Sequence, residues 1–200
     1  MAQTEKVMLG LRLPTDPRWV RLVQENISEI LTDHAWCEQK AASHAISTIV
    51  RFPDYPELVE TLTDIALEEL EHFRMVNEKI TERGYTLGFE RKDNYVRDLA
   101  AFIKKGGSRQ HQLAEALLFS AMIEARSCER FRMLTEKLDD EDLCAFYRDL
   151  MISEANHYTT FLGLARKLCK DVDVDARWQA FLDYEGSLMA RYGKEETMHG

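Results

Sequence analysis

The sequence predicts an all-α protein framed by four long helices. Three observations carry that expectation. No stretch alternates apolar and polar residues strongly enough to form a strand. Four long segments repeat apolar residues every three or four positions, the period of one helix face. Cap and turn residues give short links within each pair of segments and one long link between the pairs.

Taken in order, residues 1–15 form an extended lead-in, and Asp16-Pro17 starts a short helix carrying Trp19, Val20 and Val23. Asn26 opens the first long helix, with a stripe of Ile27, Ile30 or Leu31, His34, Glu38, Ala41, Ala45 and Ile49 that stops at Arg51-Phe52-Pro53-Asp54. The second begins near Tyr55-Pro56 and runs to Arg83, where Gly84 supplies the stop. Its stripe is Leu58, Leu62, Ile65, Glu69, His72, Val76 and Ile80. Residues 84–108 form the long connection. It holds a short amphipathic helix at Val96, Leu99, Ala100 and Ile103, then a basic glycine-containing loop from Lys104 to Arg109.

The third long helix spans roughly 109–137, with Leu113, Leu117, Ser120, Glu124, Cys128, Phe131 and Leu134 as its stripe. Asp139-Asp140 caps the fourth, about 141–169, striped by Leu143, Tyr147, Leu150, Glu154, His157, Phe161, Leu164 and Leu168. A fifth helix, about 175–192, offers Trp178, Phe181, Leu182, Leu188 and Met189; the polar tail 193–200 is expected to fray. Two hairpins joined by a long crossover match the ferritin-like connectivity of a four-helix bundle. The whole chain, 1–200, reads as a single domain of that kind.

Composition narrows the class. With 45% hydrophobic and 30% charged residues, the chain is an ordinary globular protein. No apolar run approaches the ~20 residues of a membrane span, and the N-terminus lacks a basic region followed by an apolar core, so a cytoplasmic location is expected. Cys37, Cys128, Cys144 and Cys169 form no Cys-x-x-Cys pair, which excludes a zinc ribbon or rubredoxin-type centre. Cys37 and Cys128 are reactive thiols or, better, small buried hydrophobes. The net charge of −9 taken alone argues against a nucleic-acid partner. Four of the acids, however, are candidate metal ligands, and two divalent ions would offset them.

Glu69 and His72, and again Glu154 and His157, are three residues apart and share a helix face. Both pairs interrupt core stripes, where a carboxylate is costly unless something pairs with it. Each pair is preceded by a lone striped acid, Glu38 or Glu124. The gap from lone Glu to motif Glu is 31 residues in one half (69 − 38) and 30 in the other (154 − 124). Glu129, with a gap of 25 and a position roughly 140° around the helix from Glu124, fits neither spacing nor face. A Glu from each of two helices plus Glu-x-x-His from each of two others is the di-iron or di-manganese carboxylate arrangement. The third match, Glu196 with His199, lies in the polar tail and is accidental on this reading. His34 lines the pocket or is a hydrogen-bonded core histidine; His44 and His111 belong to surface or loop. Ser120, Ser127 and Tyr158 are candidate groups behind the ligands.

The stretches Asp33-His34-Ala35-Trp36-Cys37-Glu38-Gln39-Lys40-Ala41-Ala42, Glu68-Glu69-Leu70-Glu71-His72-Phe73, Met122-Ile123-Glu124-Ala125-Arg126-Ser127-Cys128-Glu129-Arg130-Phe131 and Ser153-Glu154-Ala155-Asn156-His157-Tyr158 resemble the MiaE-type tRNA hydroxylases. The resemblance extends from about Leu9 to Tyr192. It implies a non-haem di-iron monooxygenase that hydroxylates the prenyl side chain of 2-methylthio-isopentenyl adenosine beside the tRNA anticodon. It implies Glu38, Glu69, His72, Glu124, Glu154 and His157 as iron ligands, O2 as co-substrate and an external two-electron donor, for which a ferredoxin is the chemical expectation. Lys104, Lys105 and Arg109, with Arg91, Lys92 and Arg97, are candidate tRNA phosphate contacts; the plain alternative is a solvated loop. A monomer and a dimer are both compatible with the sequence. Competing readings are a ferritin-like iron-oxidising or storage protein, a peroxide-reducing di-metal protein and a non-enzymatic helical module.

Overall fold

The computed structural model of the chain describes residues 8–192 and 197–199. Among them every regular element is helical. A 3-10 turn at Met8–Gly10 precedes α1 (Trp19–Glu25), α2 (Ile27–Arg51), α3 (Pro56–Glu82), α4 (Asn94–Ala100), α5 (Arg109–Lys137), α6 (Glu141–Leu168) and α7 (Val174–Met189). The all-α expectation holds, with two hairpins of long helices, α2–α3 and α5–α6, and the long connection between them. No described helix is long and apolar enough to cross a membrane.

Local chemistry sets the ends. Pro56 occupies the first turn of α3, where a missing N–H costs nothing. At its other end Gly84 takes φ 74°, and Tyr85 N–H reaches Ile80 O at 3.0 Å while Gly84 N–H reaches Thr81 O at 2.9 Å. These two bonds form a Schellman stop, which requires a left-handed residue at that point. Ser108, Asp140 and Asp173 each accept a backbone N–H through the side chain and so cap α5, α6 and α7. Asp16 differs from expectation. Its carboxylate accepts Arg18 N–H at 2.9 Å and its carbonyl accepts Trp19 N–H at 2.9 Å. It therefore closes a turn, and α1 begins only at Trp19.

The chain divides into two compact units: residues 21–93 with 197–198, and residues 8–20 and 94–192 with His199. In the first, α2 and α3 form the hairpin. The buried stripe of α3 is Leu58, Leu62, Ile65, Glu69, His72, Val76 and Ile80 as expected, widened by Ala66. That of α2 is turned slightly: Ala42 and Thr48 are buried where Ala41 and Ile49 were expected, and Ile46 and Val50 are exposed. Over 25 residues a three-four count drifts, and small or threonine side chains can enter the core as readily as isoleucine.

In the second unit α5 packs with α4, α6, α7 and the 3-10 turn. It is therefore buried well beyond one stripe. Its second face carries a charged network. The fully buried Arg126 donates to Glu185 Oε1 (2.7 Å), Glu129 Oε2 (3.0 Å) and Leu13 O (3.0 Å). Glu129 also accepts from Thr15 N–H (3.1 Å) and Thr15 Oγ1 (2.5 Å), and Glu185 from Tyr95 OH (3.1 Å). Arg130 lies 4.1 Å from the Trp19 ring centroid and donates to His199 O at 3.1 Å. Burial first, then the neighbouring Arg126, brings the Arg130 guanidinium down to about 9. Within the tail expected to fray, Met198 and His199 are buried, and His199 also meets Ser127 Oγ at 3.1 Å and stacks on Tyr95. Glu196 lies outside the described residues.

Removing one member of such a network leaves buried charge uncompensated. Arg126→Ala is expected to cost about 3–5 kcal/mol of stability, read as a lower urea midpoint. An unchanged midpoint would show that the network contributes nothing net.

Candidate metal centre

Each hairpin places three metal-ligating side chains together. In the first, Glu38 on α2 and Glu69 and His72 on α3 are buried, and one ligand atom of each lies within 4.8 Å of the others. His72 Nδ1 stands 3.2 Å from Glu69 Oε2 and 3.9 Å from Glu38 Oε2. The ring nitrogen thus faces both carboxylates. Exposed Glu68 approaches its other nitrogen, Nε2, at 3.8 Å.

His34, fully buried one turn before Glu38, closes on that carboxylate with Nε2 2.5 Å from Oε1. The two expected alternatives for His34 resolve into a hydrogen-bonded histidine whose partner is a candidate ligand. This bond fixes the orientation of Glu38 from behind.

In the second hairpin, Glu124 on α5 and Glu154 and His157 on α6 are likewise buried, again with one ligand atom of each within 4.8 Å of the others. Helical spacing produces both triads in the same way. The motif Glu and His lie one turn apart on one helix, and the lone Glu projects from its antiparallel neighbour. Glu129 is engaged in the Arg126 network on the other face of α5.

The donor set fits a metal ion. Two carboxylates buried side by side repel and would otherwise take up protons. A divalent cation removes that cost, and carboxylate with imidazole suits iron or manganese better than the thiolate-rich sets of structural zinc. Each triad is therefore a buried carboxylate–imidazole cluster, formed within one hairpin, whose chemistry is compatible with a metal ion.

Other residues singled out by the sequence have their own partners and surroundings. Ser127 is turned to His199, Ser120 Oγ bonds back to Ala116 O, and Tyr158 OH donates to Leu9 O. His44, expected at the surface, is half-buried within α2, and burial followed by Arg51 lowers its pKa. His111 is exposed beside Ser108 at the start of α5. Cys128 is buried and donates to Met151 O at 3.4 Å; burial first, then Glu154, pushes its thiol up to about 12, the behaviour of an inert thiol. Cys37 is half-buried, with its thiol raised by burial and then by Asp33.

Lys104, Lys105 and Arg109 are exposed on a loop anchored from beneath. Glu115 accepts Lys104 N–H at 2.9 Å and is gripped by Arg177 through Nε (2.6 Å) and Nη2 (2.7 Å). Arg177 lies over both the Phe102 and Phe181 rings, 4.2 and 4.6 Å from their centroids. Sequence reasoning missed this clamp, because a lone Glu and a lone Arg 62 positions apart carry no local pattern. Arg97 is occupied by Asp98 and Asn94, and Arg91 by Glu29.

Comparison with known proteins places these features in a family. The family model described as tRNA-(MS2IO6A)-hydroxylase (MiaE) matches residues 2–200. A Pseudomonas putida protein named tRNA 2-(methylsulfanyl)-N(6)-isopentenyladenosine(37) hydroxylase is 35% identical over 82% of this chain and 78% of its own length. A Salmonella typhimurium protein of the same name is 29% identical over 96% of this chain and 88% of its own. Among solved structures, protein 43 from Synechococcus, described as having aldehyde deformylating oxygenase activity, superposes with a TM-score of 0.87 at 34% identity, covering 95% of each chain. The ferritin-like fold class is shared with that structure.

The His34 contact carries a prediction. His34→Ala is expected to weaken Mn(II) or Fe(II) binding by about 10–100-fold, while His34→Gln, which keeps a donor toward Glu38, recovers part of the loss. Competitive metal titration measures it, with circular dichroism as the folding control. Equal affinity in wild type and His34→Ala would remove His34 from the site.

Proposed function

The chain belongs to the MiaE family of tRNA hydroxylases, and from that premise we propose how it carries out the family reaction: hydroxylation of the isopentenyl side chain on the 2-methylthio-isopentenyl adenosine beside the tRNA anticodon. The family match over residues 2–200, joined to a buried Glu/Glu/His triad in each hairpin, carries this reading. Glu38, Glu69 and His72, with Glu124, Glu154 and His157, form the six-ligand set of a di-iron centre. Iron there supplies the ability to activate O2 and place one of its oxygen atoms in an aliphatic C–H bond. The balance is one O2, one substrate C–H, two electrons and two protons, giving one alcohol and one water.

The chain's own residues do the rest. Four carboxylates match the charge of two Fe(II) ions, so the centre is near neutral and tolerates its apolar surroundings. His72 and His157 would each hold iron through one ring nitrogen, which must be free of its proton to ligate. His34 holds Glu38 in place. Ile65 and Val76 flank the first triad along α3, and Leu150 and Phe161 the second along α6. These apolar neighbours keep water away from a reaction that must not release its oxidant. The two electrons come from a separate donor, a ferredoxin by chemical class. Lys104, Lys105 and Arg109 contact tRNA phosphates. A cytoplasmic setting follows from a tRNA substrate.

A second reading rests on the Synechococcus relative, whose described activity is on an aldehyde. It differs in requiring no nucleic acid. The iron-storage and peroxide-reducing alternatives find no support in the relatives' names.

Glu124→Ala and His157→Ala are each expected to lose bound iron and hydroxylation while remaining helical. Mass spectrometry of tRNA nucleosides from cells with and without the gene gives the direct test. The hydroxylated prenyl-adenosine should vanish on deletion and return with wild type alone. Its persistence in cells holding no second hydroxylase overturns the tRNA reading. Turnover of an aldehyde in its place establishes the second.

A further inference from the structure

Residues 83–93, Arg-Gly-Tyr-Thr-Leu-Gly-Phe-Glu-Arg-Lys-Asp, lead from α3 to α4. Phe89 within them is 96% exposed. Single exposed apolar residues are common. Phe89 differs because the chain on both sides of it is tied to α2. On one side, Gly88 O accepts Trp36 Nε1–H at 2.9 Å and Gly88 N–H reaches Thr32 Oγ1 at 3.4 Å. A Cβ at Gly88 would stand 3.2 Å from Thr32 Cγ2, so glycine lets the backbone lie close against that helix. On the other side, Glu90 pairs with Lys40 at 3.0 Å, Lys40 reaches Arg91 O at 3.4 Å, and Arg91 pairs with Glu29 at 3.5 Å. The clamp holds the Phe89 backbone while its ring stays in water.

Charge narrows what the ring meets. The segment carries Arg83, Arg91 and Lys92 against Glu90 and Asp93, a net +1 in a chain of −9. Lys40 neutralises Glu90, and Lys92 is exposed with no acidic partner among the described residues. An exposed aromatic ring and an available lysine three residues apart on one segment are a combination that suits unpaired nucleotides, with the ring stacking on a base and the ammonium on a phosphate.

We propose that Phe89 is a base-stacking residue for the tRNA substrate: its ring takes an unpaired base of the anticodon loop other than the one hydroxylated, with Lys92 on the adjoining phosphate. This rests on the tRNA reading above. The ring recognises a nucleobase face without regard to sequence and adds affinity rather than chemistry.

Fluorescence anisotropy of the iron-loaded full chain with a labelled anticodon stem–loop RNA tests it. Phe89→Ala is expected to raise Kd about 5- to 150-fold, Phe89→Leu nearly as much, and Phe89→Tyr or Phe89→Trp hardly at all. Phe89→Ala should leave the dependence of log Kd on log salt unchanged, whereas Lys92→Ala lowers that slope by about one. In turnover, KM rises and kcat at saturating tRNA stays. Wild type that binds no RNA overturns the tRNA reading and this one with it. Wild type that binds while Phe89→Ala binds equally overturns only the stacking role. A Phe89→Ala chain that binds RNA normally but sediments at half the wild-type mass assigns the ring to a second copy of the chain and also overturns it.

Discussion

Two carboxylates and an imidazole buried in each helical hairpin are the constraint on which the rest of the structure depends. A carboxylate in a core stripe is tolerated only with a counter-charge. Each triad places its two acids on neighbouring helices, so the hairpin itself must be rigid and in register. The Schellman stop at Gly84 and the caps at Ser108 and Asp140 serve that register, because a slip of one residue would swing a ligand by ~100° around its helix. His34 then fixes Glu38 from behind.

The candidate site was legible in the sequence because its residues break a rule. Glu69, His72, Glu154 and His157 stand where leucine would be expected, and their helical spacing is readable without coordinates. Helix limits were equally legible wherever a residue has one backbone use, as with Pro56 and Gly84. The start of α1 was not, since Asp16-Pro17 serves a turn and a helix cap alike. Nor was the exact face of α2, where Ala42 and Thr48 replace larger neighbours.

What the sequence hid is long-range. Arg126, Glu129 and Arg130 sit in the string that carries the family resemblance, yet their partners lie at Leu13, Thr15, Trp19, Glu185 and His199. Charged residues on the far side of a striped helix read as surface, but α5 is enclosed in its unit and buries them. The same blindness applies to Phe89. An aromatic residue in a loop looks like core filling until the clamp on either side of it is seen. The string around Glu124 thus carries a candidate metal ligand on one face and anchors terminal segments from the other.

The proposed function turns on the two triads, one per hairpin, supplying the ligands of a single di-iron centre. Magnetic coupling tests it most directly, because only ions that share bridging groups couple strongly. Mössbauer and EPR spectra of the iron-loaded, oxidised chain should show two irons per chain as one antiferromagnetically coupled pair, with almost no signal from isolated high-spin Fe(III). Two uncoupled Fe(III) ions at full intensity, or a single iron per chain at saturation, would contradict the account.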